Sequence, residues 1–140
     1  MLSTVAYSIS MDSLILQHYF FQVFHVALIL FNLFGWLSKK TARWNLATLL
    51  LTAASWILLA PFYGLGYCPL TDWHYQILWQ LGHTDLPRSY IAYLVESLSG
   101  YRPGPLITDI CTGAFFSIAL IVSIVRNIQI ARSRKSQVAR

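Results

Sequence analysis

Gly64-Leu65-Gly66-Tyr67-Cys68-Pro69-Leu70-Thr71-Asp72-Trp73-His74 is the stretch whose reading decides the fold. It gathers a thiol, a carboxylate, an imidazole, two glycines and a proline between long apolar runs. The glycines and Pro69 interrupt whatever helix precedes them, and Pro69 biases Cys68 towards an extended backbone. Thr71 is a good helix N-cap, and Asp72 suits the positive end of the helix dipole that follows. A new short helix is therefore expected from Asp72.

Outward from this stretch, the apolar runs set the architecture. Leu14–Leu37 is apolar and aromatic over roughly 24 residues, against the ~20 that cross a bilayer. A basic turn follows at Ser38-Lys39-Lys40-Thr41-Ala42-Arg43. Residues 44–62 form a second run, closed by Pro61 and the Gly64/Gly66 pair, and residues 107–128 form a third. Residues 73–98 are aromatic but are interrupted by Gly82-His83-Thr84-Asp85-Leu86-Pro87-Arg88. An Asp or Arg at a helix centre costs on the order of 2.5–3.5 kcal/mol on insertion, so this region is read as two short amphipathic helices, about 72–81 and 86–98. Their Trp73, Tyr75, Trp79, Tyr90 and Tyr93 suit an interface.

The composition agrees. The chain is 56% hydrophobic and only 11% charged, where soluble domains carry about 25% charged residues. The formal charge of +5 does not point to nucleic acid, because the basic residues flank apolar runs. Lys39, Lys40 and Arg43 flank the first two runs, and Arg126, Arg132, Arg134, Lys135 and Arg140 flank the end of the third. Three crossings place both groups on one side, leaving Arg88 and Arg102 opposite with all five acids, Asp12, Asp72, Asp85, Glu96 and Asp109. The positive-inside rule then puts the N-terminus outside and the C-terminus in the cytoplasm. The N-terminal run lacks a basic leader and an A-x-A cleavage pattern, so it is expected to be retained.

The sequence thus predicts an all-α fold: one integral membrane domain over residues 1–140, built as a bundle of three transmembrane helices at about 14–37, 44–62 and 107–128. Two short amphipathic helices lie on its outer face within an interfacial segment, 63–106. A loose or interfacial leader, 1–13, precedes the bundle and a basic cytoplasmic tail, 129–140, follows it. A bacterial inner membrane is the expected location. The lipid bilayer and other membrane subunits, or further copies of the chain, are the expected partners.

Polar residues fall on helical stripes inside these runs. His18, Gln22, His25, Asn32 and Trp36 share one face of the first helix. Asn45, Thr48, Thr52 and Ser55 repeat the pattern on the second, and Thr108, Asp109, Thr112, Gly113 and Ser117 lie along the third. The structural reading is helix packing through interhelical hydrogen bonds, with Gly113 and Ser117 as a small-xxx-small pair. The functional reading is a polar cleft, since ionisable groups at membrane depth tend to mark sites. The candidate pocket comprises His18, His25, Asn32, Cys68, Asp72 and His74.

Chemistry narrows that pocket. Asp72 and His74, two apart on a helix, point different ways, and Cys68-x3-Asp72-x-His74 is no standard zinc spacing, so no metal site is expected. His18 and His25 lie two turns apart on one face and cannot clamp a haem from both sides, so a bis-histidine haem within one subunit is not expected and no cofactor is favoured. A disulfide between Cys68 and Cys111 is considered because both fall near the outer end of the bundle.

The tetrad Cys68-Pro69-Leu70-Thr71 also carries a resemblance. With His25 and Gly35, the basic turn, Gly82 and the aromatic segment 89–94, the chain resembles a domain-of-unknown-function family of small bacterial membrane proteins. The similarity runs from about His25 to Leu94. In that family a Glu often stands three residues after the Thr, where this chain has His74, and a second-helix His stands where this chain has Asn45. The resemblance implies a membrane location and this general layout, but no reaction. Small size, three spans and the lack of a catalytic motif favour a non-enzymatic accessory, stabilising or assembly component of a larger membrane complex. The alternatives are a small membrane enzyme or redox protein using the outer Cys/His/Asp pocket, and a lipid-binding or transport component.

Overall fold

The computed structural model describes residues 2–138, with side chains from Met11 to Gln137. Met1 and Arg140, read above as parts of the leader and the basic tail, lie outside the described residues. Among the described residues six α-helices follow one another: α1 (Leu2–Phe34), α2 (Ala42–Leu58), α3 (Ala60–Tyr63), α4 (Pro69–Gln80), α5 (Tyr90–Ser99) and α6 (Pro105–Val138), with a 3-10 turn at Gly35–Leu37 after α1. No strand occurs among the described residues. The all-α expectation holds.

Two helices, over Met11–Leu37 and Pro105–Gln137, are long and apolar enough to cross a membrane. The expected third, 44–62, is not one helix. Pro61 has no N–H to donate and its ring crowds the preceding turn. The helix therefore stops at Leu58 and resumes as α3 with Pro61 in its first turn. At 17 residues, α2 is about 26 Å long, short of the ~30 Å hydrocarbon core.

Helix extends beyond the apolar runs into both polar terminal segments. From Leu2 onward the leader is the first part of α1 and so is not loose. The helix α6 continues past the apolar run into the basic tail as far as Val138, because Gln, Ile, Ala, Arg and Lys without Gly or Pro all tolerate helix. Thr71 is not the N-cap of α4. Cys68 holds that place at φ −128°, ψ 118°, and Pro69 takes the first helical position, where its missing N–H costs nothing. The extended Cys68 expected from Pro69 is what forms.

The helices pack into one connected bundle, in which α1 touches α2, α4 and α6, and α5 also touches α6. α2 lies mainly against α6, and α4 mainly against α1. At one end, Asn45 of α2 donates through Nδ2 to the Phe31 and Asn32 carbonyls of α1 (2.6 and 3.1 Å). Gly35 permits this approach: a Cβ there would stand 2.9 Å from the Phe31 ring and 3.0 Å from the Asn45 Cβ. Asn127 of α6 donates to the Ala42 carbonyl at 3.0 Å, so the Lys39–Arg43 turn and the basic end of α6 lie together. Further along, Trp56 of α2 meets Phe116 of α6 with ring centroids 4.7 Å apart.

The far end carries the acids. Arg102 binds Asp85 and Glu96 at 2.9 and 2.8 Å, and Arg88 donates to the Leu65 carbonyl at 3.2 Å. These contacts fold the loops around α4 and α5 together. Exposed pairs are each worth about 0–1 kcal/mol, so the anchoring of α4 and α5 rests mainly on burial. The Gly113/Ser117 pair mediates no close helix approach: nothing lies within 4 Å of a Cβ at Gly113, and Ser117 is exposed, donating to the Gly113 carbonyl of its own helix.

Candidate functional site

The α4–α5 unit packs along the side of α1 from His18 to Ile29. The reason lies in the side chains. His74, Tyr75, Leu78 and Tyr90 are all buried and need a partner surface. α1 supplies one at helical spacing: His18, Phe21, His25 and Ile29. Tyr75, Leu78 and Tyr90 form a core cluster with Ile29, Leu86, Tyr93 and Leu94 around it.

Within this interface three polar side chains form a chain. His18 Nδ1 and His74 Nε2 are 2.8 Å apart, and His74 Nδ1 lies 3.1 Å from the Tyr90 hydroxyl. With both imidazoles neutral, two proton arrangements satisfy these bonds. In one, Tyr90 O–H donates to His74 Nδ1 and His74 Nε2–H donates to His18 Nδ1. In the other, His18 Nδ1–H donates to His74 Nε2 and His74 Nδ1–H donates to the Tyr90 oxygen. His25 joins by stacking, its ring 3.9 Å from Tyr90 and inclined by 11°. Phe21 stacks on His74 at 6.2 Å, and Tyr93 meets it edge-on at 5.8 Å.

Burial keeps His74 and Tyr90 neutral. His74 is 0% exposed, and its imidazole is held down to about 4 from the ordinary 6.5, by desolvation first and then by the neighbouring His18 and His25. The Tyr90 hydroxyl is pushed up by burial, with Tyr93 and Cys68 adding to the effect. Burial likewise raises Tyr75, whose hydroxyl donates to the Pro87 carbonyl at 2.8 Å. A buried imidazole with a lowered pKa stabilises the fold fully above pH 6.5, where it is neutral in both states. Between pH 6.5 and about 4 only the unfolded chain binds its proton, so stability falls as the medium is acidified. Thermal unfolding in mild detergent is expected to show a flat midpoint above pH 6.5 and a decline towards pH 4. The decline is expected to be shallower in His74→Phe. An equal slope in that variant would remove His74 as its source.

The sequence-derived pocket therefore divides. His18, His25 and His74 come together. Asn32 lies elsewhere, donating to Thr52 at 3.2 Å in the α1–α2 contact. Asp72 stands at the other face of α4, accepting from Gln76 at 3.0 Å. Cys68 is half-buried beside the start of α4 and Cys111 is exposed on α6. Both are free thiols, so the disulfide considered between them is not formed. Among the described residues no group of three or more His, Cys, Asp or Glu is placed to hold a metal ion. Tyr90 was missed as a site residue. Its signal was present in the aromatic segment 89–94, which was read as interfacial and not as the partner of an α1 histidine.

The stripe on α2 is accounted for by packing. Thr48 and Thr52 donate to carbonyls one turn back, and Ser55 donates to the Tyr67 carbonyl at 3.0 Å, tying α2 to the chain before α4. What remains is a membrane-length helix with a buried histidine–tyrosine cluster on its side.

The fold and site define an all-α protein with two helices long and apolar enough to cross a membrane. The chain belongs to the DUF2784 family, described as a protein of unknown function, which matches residues 15–128. The match is wider than the 25–94 segment that carried the resemblance. No curated protein and no solved structure matches the chain.

Proposed function

We propose that the chain is a multi-pass membrane protein serving as a non-enzymatic accessory or stabilising component of a larger membrane assembly. The observation that carries this reading is His74. It is fully buried, both ring nitrogens are occupied by other side chains, and neither is open to a substrate or ligand. The cluster acts as a lock that fastens α4–α5 to α1.

The membrane reading is supported by surface chemistry. In the apolar windows of the two long helices only 11% and 17% of residues are buried within the protein, whereas a core helix of a soluble protein is mostly buried. Leu16, Phe20, Val23, Ile110, Phe115 and Ile118 all face outward. In this reading α2 and α3 together, residues 42–63, make a third crossing about 33 Å long with a kink at Pro61. The basic end faces the cytoplasm by the positive-inside rule, the location is a bacterial inner membrane, and α4–α5 dips into the outer half of the bilayer against α1. Alkaline carbonate extraction tests membrane integration: the protein is expected in the pellet, and release to the supernatant would contradict it. The accessory role predicts a stoichiometric partner on purification in mild detergent, while a lone chain with turnover would overturn it.

One observation favours a second reading, a small redox or cofactor-binding protein. His25 is 6% exposed, and its Nδ1 has no hydrogen-bond partner among the described residues. A metal and absorbance survey of the same preparation separates the two readings.

A further inference from the structure

The basic end of the protein carries a groove that the histidine–tyrosine lock does not use. It has a volume of about 400 Å³ and runs between the 3-10 turn after α1 and one face of α6. Its walls include Trp36, Ile121, Val122, Val125, Arg126 and Gln129. Val122, Val125, Arg126 and Gln129 follow the i, i+3, i+4, i+7 spacing of a single helix face, so the lining changes along α6 from aliphatic to polar over roughly 10 Å. Trp36 donates its indole N–H to the Leu33 carbonyl at 2.7 Å, so what it offers the groove is its ring. Ile121 and Val125 are exposed at the rim.

The polar end is electrostatically unbalanced. Arg126 has no carboxylate partner among the described residues: Asp85 and Glu96 are taken by Arg102, and Asp12, Asp72 and Asp109 lie towards the opposite end. The contact of Asn127 with the Ala42 carbonyl sets Arg126 at the same level as the exposed turn bearing Lys39, Lys40 and Arg43. An apolar trough with a guanidinium and an amide at one end, within a wider basic surface, matches an amphiphile with one anionic head. Guanidinium binds phosphate oxygens in a two-pronged geometry. Phosphatidylcholine offers the same phosphate, but its quaternary ammonium brings a positive charge to a surface that is already basic, so a head group with net negative charge is favoured.

We propose that this groove is a binding site for an anionic phospholipid of the leaflet at the basic end. One acyl chain lies along Ile121, Val122 and Val125, and the phosphate meets Arg126 and Gln129. The inference rests on the membrane reading above and deepens it. The three neighbouring basic side chains draw anionic lipid to this end, and Arg126 selects among head groups.

The test is native mass spectrometry of the delipidated protein in mild detergent, titrated with phosphatidylglycerol or with phosphatidylcholine of identical chains. One phosphatidylglycerol per chain is expected to bind at lower concentration than phosphatidylcholine. Arg126→Gln is expected to reduce that preference roughly five-fold, the worth of one basic residue near an anionic head group. Arg126→Lys keeps most of the preference. Val122→Trp, which fills the trough, lowers the binding of both lipids. Equal binding of the two lipids to the unaltered protein, an unchanged preference in Arg126→Gln, undiminished binding in Val122→Trp, or a dimer that excludes lipid would each overturn the proposal. The membrane reading fails separately, by release of the protein in alkaline carbonate.

Discussion

Replacing His74 with alanine is expected to lower the stability of the protein by roughly 2–4 kcal/mol, read as the thermal midpoint in mild detergent. Three costs combine. The imidazole is fully buried between Phe21, Tyr90 and Tyr93, so its removal leaves a cavity. His18 Nδ1 and the Tyr90 hydroxyl each lose their partner. The α4–α5 unit loses its main polar tie to α1, although Ile29 still packs in the aliphatic and tyrosine cluster. His74→Phe refills most of the volume but restores neither hydrogen bond, and is expected to recover only part of the loss. Asp72→Ala is the control: its carboxylate bonds Gln76 on the same helix and, among the described residues, makes no hydrogen bond to α1. A loss of no more than about 1 kcal/mol is expected from its place in the first turn of α4. Equal effects at positions 72 and 74 would mean that the cluster does not hold the two helices together.

The second large effect is expected at Gly35. Even a methyl group there would meet the Phe31 ring at 2.9 Å and the Asn45 Cβ at 3.0 Å. The Phe31 ring can turn aside, but the Asn45 Cβ moves only with the backbone of α2. Gly35→Ala is therefore expected to cost about 1–3 kcal/mol as an overpacked contact, and Gly35→Leu more. The larger side chain pushes α2 away from α1 and breaks the bonds from Asn45 to the Phe31 and Asn32 carbonyls. Unfolding midpoints check the magnitude. A Gly35→Leu protein as stable as the original would show that the close approach of α1 and α2 is dispensable.

Much of the architecture was legible because it follows from local chemistry. The apolar runs identified α1 and α6, and the interruption at Gly64–Pro69 separated α3 from α4. The extended Cys68 before Pro69 was also readable. Gly100 ends α5 in the left-handed region at φ 72°, as glycine commonly does after a helix. The element limits were harder wherever a polar segment is also a good helix former, as in residues 129–138. The proline at 61 was read as an end and is instead a break between two helical pieces. Thr71 was assigned the capping role by residue type, but Pro69 already occupies the first position of the helix.

The site was legible only in part, and the cause is sequence separation. His18 and His74 are 56 positions apart, and no periodicity within either helix reveals that they meet. The α1 stripe was read correctly as facing inward at His25 and Asn32, both buried. Its partners differ along its length, however: α4 and α5 at His18 and His25, α2 at Asn32. Tyr90 stayed outside the candidate pocket because an aromatic residue beside a polar loop is commonly an interfacial anchor. Cys68 and Asp72 are reactive residue types close to His74 in sequence, but neither takes part in the hydrogen-bonded chain.

The central proposal is that the chain crosses the membrane three times, with the α2–α3 pair, broken before Pro61, as the middle crossing. Single cysteines at Lys40→Cys, His83→Cys and Ser133→Cys, all exposed positions, would be introduced into a background with Cys68→Ser and Cys111→Ser. They would then be labelled with a membrane-impermeant reagent in sealed vesicles of known orientation. Three crossings place residues 40 and 133 on one side and residue 83 on the other. Labelling of 40 and 83 from the same side, with 133 opposite, would mean that only α1 and α6 cross, and would contradict the account.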